Sequence, residues 1–95
     1  MREQRAEARR YEDLTGYFQA DGSVVEVKVR DRGGSGVGVY TAHQFRPGQQ
    51  GLLLVKSPDA ETVKEMASEI RWCGVDPEAV DRRFPYRAGL RLLKG

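Results

Sequence analysis

Two groups of side chains in this 95-residue sequence have the types and spacing needed to grip an anion or a base. Arg5-Ala6-Glu7-Ala8-Arg9 sets two arginines four residues apart. Asp31-Arg32-Gly33-Gly34-Ser35-Gly36 brings a carboxylate, a hydroxyl and bare backbone close together. Arginine can donate two parallel hydrogen bonds to the O6/N7 edge of guanine, stack on the purine, or clamp a phosphate. Aspartate can accept from the N1–H and N2–H groups on the opposite guanine edge, and glycine lets the backbone come close. Together the two groups complement a guanine nucleotide. They equally fit solvated arginines beside an ordinary turn.

Other chemistry finds less support. The one histidine, His43, precedes the Pro47-Gly48 turn with no cysteine or second histidine near it in sequence, and reads as an exposed loop residue. The one cysteine, Cys73, follows Trp72 in an apolar stretch where a thiol is usually inert, and it can form neither an internal disulfide nor a metal site alone. Gly33-Gly34-Ser35-Gly36-Val37-Gly38 lacks the spacing of a dinucleotide fingerprint and the Lys-Ser/Thr pair of a phosphate loop, and it runs into a strand. No catalytic constellation and no metal site are expected.

The chain that must position these residues has one domain's worth of length. Hydrophobic residues make up 39% and charged residues 32%, too apolar a balance for a disordered chain. The net charge of +2 argues against a protein that coats nucleic acid. Twelve arginines against four lysines favour bidentate anion contacts, although a compositional bias of the genome accounts for the same excess. No apolar run is long enough to span a membrane, and the charged start Met1-Arg2-Glu3 predicts no signal peptide. A single cysteine predicts a reducing, cytoplasmic setting.

Residues 1–13 carry four arginines and four acids and read as a flexible N-terminal arm, with the folded domain at 14–95. Strands are expected at 14–20, 23–30, 37–41 and 51–56. Asp21-Gly22 joins the first two as a hairpin turn, and residues 31–36 form a second turn. Val25, Val27 and Val29 alternate with Glu26, Lys28 and Arg30, the period of a half-buried strand. Residues 57–73 are ambiguous. Val63, Met66, Ala67 and Ile70 have helical spacing, whereas Met66, Ser68, Ile70 and Trp72 would share one face of a strand. A last strand is expected at 87–93. Short strands joined by glycine turns imply a small antiparallel barrel or sandwich.

In order and spacing, the motifs resemble those of the PilZ domain family, bacterial receptor modules for cyclic di-GMP, over nearly the whole chain. The family's Arg-x-x-x-Arg matches Arg5 and Arg9, followed by Arg10-Tyr11. Its Asp/Asn-x-Ser-x-x-Gly matches Asp31 to Gly36, with Gly33 where the family has serine and a serine displaced to Ser35. Pro47-Gly48, Ile70-Arg71-Trp72-Cys73 and the closing Tyr86 to Leu92 match further motifs; the last departs from the pattern in ending on leucine rather than an aromatic.

The resemblance implies an all-β fold, a small six-stranded antiparallel β-barrel of the split-barrel type. It makes residues 66–73 a strand, with a short helical turn near 59–63. It also implies a receptor, not an enzyme, that binds cyclic di-GMP with neither metal nor cofactor. Arg5 and Arg9, with Arg10 beside them, would clamp guanine and phosphate as the arm folds down. Asp31 would read a guanine edge, and Ser35, Gly36 and the Gly33 backbone would complete the floor. Ordering the arm would change the surface shown to a protein partner. The alternative is an interaction module on the same barrel that binds no nucleotide. Against it, non-binding members tend to lack the arginine pair that Arg5 and Arg9 keep. An oligonucleotide-binding barrel would need aromatics interleaved with basic residues, and Tyr17, Phe18 and Tyr40 form no such stripe.

Overall fold

The computed structural model describes residues 10–56 and 63–93, with side chains from residue 14 onward. Six strands run in chain order: β1 (Arg10–Ala20), β2 (Ser23–Arg32), β3 (Gly36–Thr41), β4 (Gln50–Lys56), β5 (Val63–Val75) and β6 (Tyr86–Leu92). Every pairing is antiparallel, and the strands close into a barrel in the order β1-β2-β3-β6-β5-β4. Closure leaves none of these six strands as the end of an open sheet.

Alternation explains the core. Val27 and Val29 on β2, Val37 and Val39 on β3, Leu53 and Val55 on β4, and Ala88 and Leu90 on β6 all point inward and are buried. Phe18 fills the middle, and Phe45, from the β3–β4 connection, closes one end against it with ring centroids 5.0 Å apart. The seam between β1 and β4 depends on two glycines. A Cβ on Gly16 would overlap the backbone carbonyl of Leu54, and one on Gly51 would overlap that of Gln19.

The Asp21-Gly22 hairpin forms as expected. Both residues hold positive φ, at 53° and 77°, which matches the right-handed twist of the flanking strands. Two expectations are corrected. Strand β1 begins at Arg10, inside the stretch assigned to the arm, because residues 10 and 11 pair with Arg32 and Asp31. Asp31 and Arg32 belong to β2, so the turn before β3 spans only residues 33–35. Residues 66–73 are strand, as the resemblance implies: β5 pairs with β4 over Val63–Glu69 and with β6 over Ser68–Val75, and the helical spacing from Val63 to Ile70 is overridden. Of the helical turn expected near 59–63, residues 59–62 lie outside the described residues and Val63 is strand. His43 is exposed, as its loop position suggests. The β5–β6 connection is braced by Asp76, whose carboxylate accepts from the Glu78 N–H, and by Asp81, which accepts from the backbone and guanidinium of Arg83.

Candidate functional site

The site is built by two β-bulges. On β2 alternation runs cleanly inward to Val29, which pairs with Val39; Asp31 then pairs with Gly38, leaving Arg30 as the extra residue. On β5, Ile70 pairs inward with Leu90 and Trp72 pairs with Gly89, leaving Arg71 as the extra residue. A bulge shifts the pleat by one residue and so re-aims the side chains beyond it. Asp31 and Trp72, inward by simple alternation, are both turned to the outer wall. Placing Trp72 on the same face as Met66, Ser68 and Ile70 is therefore wrong: it is 47% exposed, while Ser68 and Ile70 are buried.

Gly38 and Gly89 are themselves partners across β3 and β6. One cross-strand row thus reads Asp31, Gly38, Gly89, Trp72. Three strand spacings, roughly 14 Å of backbone, separate its ends. The two glycines leave the middle bare, and the side chains at the ends lean over it. A Cβ on Gly38 would stand 2.9 Å from Asp31 Oδ1 and 3.3 Å from its Cγ. A Cβ on Gly89 would overlap Trp72 Nε1 and stand 2.7 Å from Cε2. The result is an outer cleft of about 460 Å³, walled by Asp31 and Arg30 on one side and by Trp72 and Arg71 on the other. Gly36 extends its floor.

The electrostatics suit a base joined to a phosphate. Asp31 is only 7% exposed, and Arg30 Nε lies 3.5 Å from its Oδ2. Arg71 is exposed and, among the described residues, has no acidic partner. The indole Nε1–H of Trp72 likewise donates no hydrogen bond among the described residues. Just beyond the floor, Arg91 pairs with Glu69 at 2.6 Å.

Of the residues singled out from the sequence, Asp31 and Gly36 line the cleft. Gly33 and Ser35 sit in the adjoining turn, where the Gly33 N–H donates to the Gly36 carbonyl and the Ser35 carbonyl accepts from Leu92. Arg10 is described by its backbone alone, paired with Arg32 one residue past Asp31. Arg5 and Arg9 lie outside the described residues. Sequence reasoning missed Arg30, Arg71, Gly38 and Gly89 as cleft residues and gave Trp72 the wrong face. An arginine stands before each of Asp31 and Trp72 in the sequence, whereas the pairing of Gly38 with Gly89 is visible only in the fold. Among the described residues no cluster of His, Cys, Asp and Glu could hold a metal, and no helix is long and apolar enough to cross a membrane.

Comparison with known proteins agrees with this architecture. The pattern of the PilZ domain matches residues 3–94. Among solved structures, the chain is similar to the Bacillus subtilis inhibitor of motility MotI/DgrA, with a TM-score of 0.71 and 18% sequence identity. That alignment covers 97% of this chain and 44% of the other, so this chain spans less than half its neighbour's length. No curated protein matches the sequence.

Proposed function

The chain belongs to the PilZ domain family, and on that premise we propose that it is a cytoplasmic receptor for cyclic di-GMP that uses the outer cleft as its binding surface. The observation that carries this reading is the Asp31–Gly38–Gly89–Trp72 row. It offers a carboxylate seated over Gly38 at one end and an indole lying against Gly89 at the other.

A guanine in the cleft would present N1–H and N2–H to the Asp31 carboxylate while its ring stacks on the open face of Trp72. Such stacking is typically worth about 1–3 kcal/mol per base. Arg71 is available for a phosphate, and the loose pair between Arg30 and Asp31 can yield to the ligand. Arg5 and Arg9 supply the remaining cations. The backbone of residue 10 stands beside Arg32, so the arm that carries them joins the barrel next to the carboxylate wall. Binding would order that arm over the cleft and alter the surface offered to a protein partner. The structural neighbour is named as an inhibitor of motility; for this chain an inhibitory protein contact is the corresponding output. The module binds and does not convert its ligand.

Hydrogen exchange with and without cyclic di-GMP tests this reading. Protection is expected to rise at residues 1–10, 30–38, 71–74 and 89–90. Equal exchange in both states would overturn it.

A further inference from the structure

Glycine has two distinct uses in this barrel, separated by what an added Cβ would meet. At Gly16 and Gly51 the first obstacle is a backbone carbonyl, of Leu54 and Gln19 respectively. Those atoms belong to the β1–β4 seam and cannot move without opening it. At Gly38 and Gly89 the obstacles are side chains only: the Asp31 carboxylate at one, and the Trp72 indole at the other. Neither side chain belongs to the core. A methyl group there would leave the strand pairing intact and push the wall residue off its seat.

We propose that Gly38 and Gly89 are positioning residues for ligand recognition: Gly38 seats the Asp31 carboxylate, and Gly89 seats the Trp72 indole. This rests on the cleft being the ligand site. With the indole lying against the Gly89 backbone, one ring face is covered and the other is held open to the cleft. The bulge at Arg71 turns Trp72 outward, but only the missing Cβ lets it lie down. On the opposite wall, the bulge at Arg30 and the bare Gly38 do the same for Asp31. Rotamer freedom removed in the free protein need not be removed on binding, so a pre-seated wall raises affinity without adding a contact.

The sequence contains one tryptophan, so the emission of the whole chain reports Trp72 alone. In ligand-free protein, Gly89→Ala is expected to shift that emission and to increase its quenching by iodide. The melting temperature should change far less than in Gly51→Ala. In calorimetric titration with cyclic di-GMP, Gly89→Ala should weaken binding by at least about fivefold, the scale of a lost stacking contact. In a Trp72→Leu background the same change should alter affinity by less than about twofold, because there is no indole left to seat. The matching pair, Gly38→Ala with and without Asp31→Ala, should behave likewise.

Unchanged emission and quenching in Gly89→Ala would overturn the proposal. So would an equal loss of affinity in both backgrounds, or a melting temperature as low as that of Gly51→Ala. If the wild-type protein fails to bind cyclic di-GMP, the ligand assignment falls, whereas emission and quenching still decide whether Gly89 seats Trp72.

Discussion

Asp31 and Trp72 end the same cross-strand row, each turned outward by a β-bulge at the arginine before it, with only Gly38 and Gly89 between them. Each bulge forfeits regular pairing at one residue, and an uninterrupted pleat would have sent both side chains into the barrel. Two such irregularities on one row, both with an arginine as the extra residue, put a carboxylate, an aromatic ring and two cations around a bare floor. A third register shift, between Tyr11 and Leu14 on β1, falls opposite the same stretch of β2, from Val29 to Asp31. The irregularity is thus concentrated where a ligand would lie.

Trp72→Ala should reduce affinity for cyclic di-GMP by about 1–3 kcal/mol. The half-exposed indole lies outside the barrel, so the melting temperature should stay close to that of the wild type. Leu53→Ala is the contrasting variant: its side chain is fully buried, and its loss should cost about 2–5 kcal/mol of stability. Titration calorimetry and thermal melting of the two variants check the division between wall and core.

Arg5→Ala and Arg9→Ala should each lower affinity by roughly 1.5–3 kcal/mol, the scale of a hydrogen bond to a charged group. Neither should shift the melting temperature of the free protein. A double variant with an unchanged titration curve would favour an interaction module that needs no nucleotide.

Gly33→Ser should strengthen binding by up to roughly 0.5–1.5 kcal/mol, one net hydrogen bond. Serine there meets no backbone penalty: among the described residues positive φ is held by Asp21, Gly22 and Gly48, and Gly33 is not one of them. Ser35→Ala should weaken binding in the native background and be rescued by Gly33→Ser, if the displaced hydroxyl serves the same contact. Titration of the three variants reads this directly.

Asp81 provides a pH signature remote from the cleft. Hydrogen bonds from the Arg83 guanidinium and backbone hold its carboxyl at about 2, below the ordinary 3.8. A carboxylate with a depressed folded pKa stabilises the loop above the ordinary value, and that contribution disappears as pH falls from about 4 towards 2. The pair is exposed, so salt should weaken it. An NMR titration of the Asp81 carboxyl should show the low midpoint, and Arg83→Ala should return it to the ordinary range. A midpoint near 3.8 in the wild type would contradict the pairing.

Much of this fold is legible in the sequence because its signals are local. Alternation in Val25, Val27 and Val29 marks β2, and Asp21-Gly22 marks the first hairpin. The cleft is less legible because it is non-local. Gly38 and Gly89 lie far apart in sequence and matter only as partners, and a bulge at Arg71 becomes visible only once β5 is aligned with β6. Helical spacing from Val63 to Ile70 misleads for the same reason, since pairing on both sides outweighs intrinsic preference. Asp31 and Gly36 could be found from their own motif, whereas Arg71 has none.

A calorimetric titration of the full chain with cyclic di-GMP tests the central claim most directly, run beside the Asp31→Ala, Trp72→Ala double variant. Saturable binding by the wild type, lost or weakened at least about a hundredfold in a double variant that melts normally, is the predicted result. A flat titration by the folded wild-type protein, or equal binding by both proteins, would contradict it.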